Sequence, residues 1–340
     1  MASSLVIQTS FLGDMVLTTP LLAQLANRGP VDVVATPAAA SLLAGHPAVR
    51  TVIVYDKRGA DRGLMAFLDL GARLRALHHD VAFLAQGSWR SAALAMLAGV
   101  PIRVGFSTSS GRMLYTKRVL YREDLHHAAR LLQLARPNGR EATPEELRPS
   151  LSPSREDVAA VDALLEQAGV RAGETLVGVA PGSVWGTKRW PFYPALAAAL
   201  SGAARVVTIG GADDVALSAA IVAEAPGAVN SAGTLSLLAS AELIRRCAVL
   251  VTNDSLPLHL ASAMGTPTVA IFGPTVPAFG FGPLAPRSEV AGVKGLACRP
   301  CDRHGPARCP LGHHRCMRDL DVESIAAQVR GLLSNRNVPA

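Results

Sequence analysis

The residues best suited to chemistry lie between positions 248 and 275, where an acid, a hydroxyl and an imidazole follow an apolar, valine-rich run. Asp254, Ser255 and His259 stand at the turn from this predicted strand into a helix that we expect over 258–264. Backbone N–H groups in the first turn of a helix lack partners within the helix and readily bind phosphate oxygens. The stretch therefore predicts a site for an anionic ligand.

A second group of polar residues forms a basic loop over 180–191, with the sequence APGSVWGTKRWP. It contains two cations, Lys188 and Arg189, and two hydroxyls, Ser183 and Thr187. Such a loop has the groups needed to hold a diphosphate without a metal ion. Its spacing differs from a Walker A loop, and no G-x-G-x-x-G follows the first predicted strand, so nucleoside triphosphatases and NAD enzymes are disfavoured.

Asp14 follows the first predicted strand, in the sequence SFLGD, and precedes a helix that we expect to start near Met15. An aspartate at this position commonly caps the helix. If Asp14 faces a cleft between the domains, its carboxylate can instead accept the proton of an attacking hydroxyl, and the helix N-terminus would keep it ionised. The residues alone leave both interpretations open.

Four of the five cysteines fall within 19 residues, at Cys298, Cys301, Cys309 and Cys316. In a cytosolic protein this clustering favours a structural zinc or iron site with four thiolate ligands, which would leave no open position for catalysis. Two of the spacings are longer than in a zinc ribbon, so reduced thiols without a metal are the alternative. The fifth, Cys247, precedes an apolar run and is interpreted as a core residue.

Apolar strands alternate with helical periodicity along most of the chain, which is typical of a parallel sheet covered on both faces. The predicted strands are 5–8, 31–35, 52–55, 81–84 and 103–105 in the first half and 176–179, 206–209, 249–252 and 269–272 in the second. Helices are predicted over 155–169 and 322–333. The fold class is therefore α/β, with two Rossmann-like halves.

The stretch 137–153 is rich in proline and charge and lacks periodicity, so it is interpreted as the connection between domains. We accordingly predict domains over 1–150 and 151–340, the second of which includes the cysteine-rich segment 298–316 and a terminal helix. A length of 340 residues agrees with two domains. No apolar run reaches the ~18 residues of a membrane span, and the start lacks a basic n-region, so the expected location is the cytoplasm.

The net charge of +7 is concentrated in the first half of the chain, where 17 Lys and Arg face 11 Asp and Glu, against 16 and 15 after residue 150. This excess suits a phosphorylated acceptor or an anionic membrane surface, and an ordinary solvated arginine surface explains it equally well. His126 and His127 are candidates to contact an anionic acceptor, but at the edge of an amphipathic helix they are interpreted as surface residues. Aromatic residues make up only 4%, and no nucleic-acid recognition motif is present.

Four motifs together resemble the ADP-heptose:lipopolysaccharide heptosyltransferases, with the closest similarity to the heptosyltransferase II subgroup. They are SFLGDMVLTTPLL at 10–22, APGSVWGTKRWP at 180–191, VTNDSLPLHLASAMGTPTVAIFGPT at 251–275 and CRPCDRHGPARCPLGHHRCM at 298–317. The resemblance implies a GT-B glycosyltransferase, in which two Rossmann-like domains face a central cleft. The first domain would bind the acceptor and the second the nucleotide-sugar.

The same resemblance implies an inverting transfer of heptose from ADP-heptose to the lipopolysaccharide core at the inner leaflet, with peripheral membrane contact, no catalytic cofactor and no nucleic acid. Asp14 matches the catalytic base and Lys188 the lysine that steadies the departing phosphate. The remaining donor-site matches are Ser183, Thr187, Arg189, Asp254, Ser255 and His259.

One position departs from the family pattern: Leu256 stands where many members have glycine, which bears on donor identity and affinity. The rival interpretations are a nucleotide-sugar epimerase or hydrolase of the same fold, which would consume the donor alone, and a non-catalytic glycan-binding or nucleic-acid-binding protein.

Overall fold

The structure is a computed structural model that describes residues 2–136 and 140–334. The chain divides into two compact units, Met1–Ser152 and Pro153–Ala340, and each is described by itself. None of the helices in the described ranges is long and apolar enough to cross a bilayer.

Unit 1 is built on a parallel sheet that has six strands among the described residues, in the order β3-β2-β1-β4-β5-β6. The strands are β1 Ser4–Gln8, β2 Val31–Ala35, β3 Thr51–Val54, β4 Val81–Leu84, β5 Ile102–Phe106 and β6 Lys117–Val119. The chain runs outward in one direction from β1 and in the other from β4. This reversal opens a crevice at the carboxyl ends of β1 and β4, where Rossmann-like sheets bind ligands.

Successive residues of a strand point to opposite faces of the sheet. Apolar residues therefore lie on both faces of this sheet, and helices cover each face. The helices are α1 Leu12–Ala26, α2 Pro37–Leu42, α3 Leu64–Arg75, α4 Trp89–Leu97, α5 His127–Ala135 and α6 Pro144–Leu147. Val6 of β1 lies in a core with residues of α1 and α5. Its neighbours Leu5 and Ile7 lie in a second core with residues of α3 and α4.

Unit 2 repeats this plan with a second parallel sheet, which has six strands in the described part, in the order β12-β11-β10-β7-β8-β9. The strands are β7 Leu176–Ala180, β8 Arg205–Thr208, β9 Val229–Asn230, β10 Val249–Asn253, β11 Thr268–Ile271 and β12 Ser288–Ala291. Here the reversal lies between β7 and β10, and every residue of these two strands is buried.

The helices of unit 2 fill the positions between its strands and continue past the last one. They are α7 Arg155–Gln167, α8 Tyr193–Leu200, α9 Val215–Glu224, α10 Leu237–Arg246, α11 Leu256–Met264, α12 Arg315–Arg318 and α13 Val322–Ser334. The indole of Trp190 is buried against Tyr193, with ring centroids 5.3 Å apart. Its Nε1 donates to the carbonyl oxygen of Leu320, which fixes the segment that leads into α13.

The predicted α/β class is confirmed, and the nine predicted strands all lie within a residue or two of observed ones. Three strands were missed, namely β6, β9 and β12, and each of them is an edge strand of its sheet. Helix α1 begins three residues earlier than expected, at Leu12, and therefore includes Asp14. Residues 137–139 of the predicted connection lie outside the described residues, and α6 lies within the rest of it.

A buried ion cluster stabilises unit 1 at the end of the sheet opposite the crevice. Asp32 accepts hydrogen bonds from Arg50 Nε at 2.9 Å and from Arg50 Nη2 at 2.5 Å, and its Oδ2 lies 2.8 Å from His79 Nε2. Burial disfavours the charge of Asp32, but the hydrogen bonds from Arg50 and His79 outweigh burial and hold the pKa of this carboxyl below its usual value. The Asp32 carboxyl is thus ionised at neutral pH.

We expect Asp32→Asn to lower the free energy of unfolding by about 3 kcal/mol at neutral pH, the low end for a broken buried pair because Arg50 is half exposed. A carboxyl with a lowered folded-state pKa contributes stability above its unfolded pKa and loses it as the pH falls. The difference between the two proteins should therefore shrink below pH ~4. Urea denaturation at several pH values measures this. Asp124→Asn, which breaks an exposed pair with Arg122, is the control and should change little.

Candidate active site

In unit 2 the basic loop and the end of β10 meet at the point where the strand order reverses. Asn253, the last residue of β10, is fully buried. Its Nδ2 donates to the carbonyl oxygen of Pro181 at 2.8 Å, and its Oδ1 accepts from the backbone N–H of Trp190 at 3.2 Å. One amide side chain thereby ties both ends of the basic loop to β10, and the loop is held in a defined conformation over the crevice.

Lys188 and Asp254 form a buried ion pair within this crevice. Lys188 Nζ lies 2.7 Å from Asp254 Oδ2 and also donates to the carbonyl oxygen of Asp254 at 3.3 Å. The hydroxyl of Thr275, in the loop after β11, donates to the same carboxylate oxygen at 2.7 Å. Less than a tenth of either charged residue is exposed. Two residues that the sequence predicts as separate donor contacts are thus partners of each other.

The other predicted residues of the basic loop have structural partners as well. Arg189 Nε donates to the carbonyl oxygen of Ser183 at 2.9 Å, which folds the loop back on itself. The hydroxyl of Thr187 donates to the carbonyl oxygen of Pro306 at 2.5 Å. Thr187 therefore anchors the loop to the cysteine-rich segment, whereas Ser183 is half-buried beside it.

The predicted residues after β10 surround the start of α11. Ser255 is the N-cap residue of this helix, in an extended conformation and without a side-chain cap hydrogen bond. Leu256 is the first helical residue. His259 lies one turn further on, buried in the body of the helix, with its ring 6.4 Å from that of Phe281. Ser255 thus lies at the helix N-terminus next to Asp254 of the ion pair, and His259 lies one turn further along the helix.

The cysteine-rich segment packs against the basic loop. His314 Nε2 lies 2.8 Å from the carbonyl oxygen of Thr187. Gly305 packs so closely on Lys188 that a Cβ at this position would lie 3.2 Å from Lys188 Cε, and its backbone φ of +91° also favours glycine. Arg299 donates to the carbonyl oxygen of Thr275 at 3.1 Å. The segment therefore positions both Lys188 and the residue that contacts Asp254.

The predicted metal ligands of this segment are Cys298, Cys301, Cys309 and Cys316. No three Cys, His, Asp or Glu side chains within the described ranges are arranged to hold a metal ion. Cys301 donates its thiol proton to the carbonyl oxygen of Cys298 at 3.1 Å, and burial raises the pKa of Cys316 to about 11. A structural zinc or iron ion stays a prediction, which metal analysis of the purified protein tests.

Cys247 is buried in unit 2, and its thiol donates to the carbonyl oxygen of Leu243 at 3.3 Å. The interpretation of Cys247 as a core residue is confirmed.

A second crevice lies in unit 1, at the carboxyl ends of β1 and β4, and contains Asp14. The N-cap residue of α1 is Phe11 and Asp14 lies within the first turn of the helix, so the interpretation of Asp14 as the N-cap residue is wrong. Asp14 Oδ2 instead accepts a hydrogen bond from Ser10 Oγ at 2.6 Å. The carboxylate borders a cavity of about 350 Å³, which Gln86 and Tyr121 also line. Asp14 is therefore accessible to a ligand while Ser10 fixes its orientation.

His127 is a neighbour of Asp14 that the sequence analysis missed. It is the first residue of α5, and its Nε2 lies 3.8 Å from Asp14 Oδ1, with only 13% of the side chain exposed. Burial lowers the pKa of His127, while Asp14 acts in the opposite direction. The interpretation of His127 as a surface residue is wrong. His126 caps α5, where its Nδ1 accepts from the backbone N–H of Ala128.

Cations line an adjoining cavity of about 360 Å³ at the same edge of unit 1. Lys57 Nζ donates to the carbonyl oxygen of Thr9 at 2.7 Å. Burial lowers the pKa of Lys57, and the nearby charges of Arg58 and Arg90 lower it further. Three cations in one cavity suit an anionic group, which would relieve their mutual repulsion.

Comparison with known proteins identifies the family. The sequence model of glycosyltransferase family 9 (heptosyltransferase) matches residues 67–309, well over half of the chain. The chain belongs to glycosyltransferase family 9. This family 9 glycosyltransferase is 29% identical to lipopolysaccharide heptosyltransferase 2 of Escherichia coli K12, over 97% of this chain and 98% of that protein. The predicted family and the glycosyltransferase class are therefore confirmed.

Solved structures agree with this assignment. The structure of E. coli ADP-heptose lps heptosyltransferase II matches the family 9 chain with a TM-score of 0.80 and 26% identity, covering 99% of this chain and 100% of the other. A glycosyl transferase family 9 protein from Veillonella parvula DSM 2008 has the same fold, with a TM-score of 0.86, 21% identity and 98% coverage of both chains. The predicted GT-B fold class is confirmed.

Proposed function

We propose that this protein transfers heptose from ADP-heptose to the inner core of lipopolysaccharide, as a heptosyltransferase II. The observation that carries the proposal is the buried Lys188–Asp254 pair at the strand reversal of unit 2, in a chain with near full-length similarity to heptosyltransferase 2 enzymes. We propose that unit 2 binds the nucleotide-sugar and that unit 1 binds the acceptor.

The geometry of unit 2 supports a donor site in which the diphosphate replaces Asp254 as the partner of Lys188. A phosphate oxygen near Nζ would draw Lys188 away from the carboxylate, and the freed Asp254 would accept hydrogen bonds from hydroxyls of the sugar. Arg189 and the N–H groups at the start of α11 add positive charge on the same side. The switch of partners couples binding of the diphosphate to recognition of the sugar.

The proposed reaction is a single displacement. An acceptor hydroxyl oxygen forms a bond to the anomeric carbon as the bond from that carbon to the phosphate oxygen breaks, and ADP departs with the bonding electron pair. Asp14 takes the hydroxyl proton, and Lys188 meets the charge that develops on the phosphate. His127 Nε2 lies 3.8 Å from Asp14 Oδ1, close to the carboxylate but beyond hydrogen-bond distance. We propose that these groups act without a catalytic metal.

The acceptor side of the proposal depends on the cations of unit 1. Lys57, Arg58 and Arg90 lie in the cavity adjoining the Asp14 cavity, and we propose that they bind anionic groups of the lipopolysaccharide core. Such an acceptor is anchored in the inner leaflet of the cytoplasmic membrane, so peripheral contact with that membrane is part of the proposal.

The experiment that tests this function measures ADP release from ADP-heptose with and without a lipid A–Kdo acceptor that carries one heptose. Release that requires the acceptor supports the transferase. Release without any acceptor would favour a hydrolase or epimerase, and no release under either condition would contradict ADP-heptose as the donor. The Asp14→Asn protein serves as the blank, because contaminating phosphatases would act equally in both preparations.

A further inference from the structure

Exposed apolar side chains concentrate in one part of unit 1. Fourteen large hydrophobic residues are exposed among the described residues, and seven of them fall within 57–118, which is less than a fifth of the chain. The most exposed of these seven are Met65 at 77%, Met113 at 76% and Leu64 at 69%. Scattered apolar residues on a surface need no explanation, but a concentration of this kind marks an interaction site.

Six of the seven lie on the outer side of α3 and α4 or in the adjacent turn, and the seventh, Leu77, lies beyond the end of α3. Helix α3 buries Phe67, Leu70 and Leu74 against the sheet. Leu64, Met65 and Leu68 are exposed and therefore occupy its other side. We call the following residues, on α3, on α4 and in the adjacent turn, the α3–α4 surface: Leu64, Met65, Leu68, Trp89, Met96 and Met113.

The parts of the α3–α4 surface are contiguous. Trp89 and Met96 are seven residues apart on α4 and so project from the same side of that helix. The guanidinium of Arg90, at the start of α4, lies 5.5 Å from the ring centroid of Phe67 in α3. A Cβ on Gly111 would lie 3.4 Å from the Cα of Trp89, which places the turn that carries Met113 against the start of α4.

Positive charge surrounds these apolar residues. Residues 57–118 contain ten Lys and Arg but only three Asp and no Glu, an excess equal to the net charge of +7 of the whole chain. The acids are Asp61, Asp69 and Asp80. Exposed cations close in sequence to the apolar residues include Arg58, Arg62, Arg90, Arg112, Lys117 and Arg118.

We propose that the α3–α4 surface docks on an anionic phospholipid bilayer. Methionine, leucine and tryptophan side chains enter the region between headgroups and acyl chains, while surrounding Lys and Arg attract anionic headgroups. A second copy of the chain fits this surface poorly, since self-association would bring two strongly positive surfaces together. A bilayer satisfies both the apolar residues and the charge.

The position of the α3–α4 surface agrees with the proposed function. This argument from position, unlike the others, rests on that function. Helices α3 and α4 begin where β3 and β4 end, at the same edge of the sheet as the Asp14 crevice. Docking through the start of these helices would hold that crevice close to an acceptor anchored in the same membrane. Binding to lipid itself does not depend on the transferase assignment.

The test is co-sedimentation of the full-length protein with vesicles of phosphatidylcholine alone or mixed with phosphatidylglycerol. We expect binding to the mixed vesicles, and at least about tenfold weaker binding for Met65→Ser/Met113→Ser and for Arg62→Gln/Arg112→Gln. Val215→Ser/Leu311→Ser removes two exposed apolar side chains of unit 2 and should bind as the unmodified protein does. A blue shift of tryptophan fluorescence on binding should be much reduced in Trp89→Phe.

Equal binding by the unmodified protein and both double variants, or no binding to the mixed vesicles, would overturn the proposal. It would also be overturned if the protein failed to bind vesicles but self-associated in sedimentation velocity through the same residues. Turnover with a water-soluble, deacylated acceptor should be unchanged in Met65→Ser/Met113→Ser, which shows that this variant is folded. If ADP release fails in every protein while vesicle binding persists, the proposed function fails and the docking surface stands.

Discussion

Asp14→Asn is expected to lower turnover by about a thousandfold, within the range of general acid–base catalysis. The asparagine side chain has nearly the same shape, and its carbonyl oxygen can still accept the hydrogen bond from Ser10 Oγ. It cannot accept the proton of the acceptor hydroxyl. Binding of ADP-heptose should be unaffected, because the donor contacts are proposed in unit 2. Steady-state ADP release and calorimetric titration of the donor measure the two quantities.

Asp69→Asn is the matched control for this variant. Asp69 is also a helical carboxylate of unit 1, but it is exposed on α3 and away from the crevice. Turnover with a water-soluble acceptor should stay at the level of the unmodified protein. If Asp14→Asn retained turnover within about tenfold of that level, another group would have to take the proton, because loss of a general base costs more than this.

The central strands of both sheets could be predicted because they are buried on both faces. Such strands form unbroken runs of apolar and β-branched residues, as in β7 and β10. The missed strands give weaker patterns. β6 has three residues, two of them exposed, and β9 has only two residues. β12 exposes Glu289 and Val290. Their pairing depends on the neighbouring strand in the sheet and leaves little periodicity in the sequence.

The sequence predicts which loops form the candidate site. The chain places polar residues directly after β7 and β10, and parallel strands deliver such loops to one edge of a sheet. This reasoning brings Lys188 near Asp254, although 66 positions separate them. The direction of each side chain could not be predicted. Thr187 has the same hydroxyl as a phosphate ligand, but it donates to Pro306 because the cysteine-rich segment packs behind the loop.

The partners of Asp14 also show which contacts could not be predicted from the sequence. Ser10 lies four residues earlier, and its hydrogen bond follows from the turn into α1. His127 reaches Asp14 only because α1 and α5 pack side by side on one face of the sheet. No local pattern links residues 113 positions apart. Burial of a histidine beside a carboxylate therefore became apparent only from the fold.

Lys188→Ala is expected to lower turnover by about a hundredfold or more, since loss of one such electrostatic group typically costs ~3–4 kcal/mol of transition-state stabilisation. The variant should also be less stable, by about 3 kcal/mol, because Asp254 remains buried without its partner. The loss of turnover and the loss of stability arise from different contacts and can be separated. The double variant Lys188→Met/Asp254→Asn removes both charges, so stability should recover substantially while turnover stays low.

Asp32→Asn provides the matched control, because it breaks a buried ion pair of unit 1 that lies at the opposite end of the sheet from the crevice. It should lose a similar amount of stability yet keep its turnover at a temperature where every variant is folded. Urea denaturation and ADP release on the same preparations give both values. Turnover of Lys188→Ala close to that of Asp32→Asn would mean that Lys188 contributes to folding alone. A large gap between them would assign to Lys188 the charge that meets the departing phosphate.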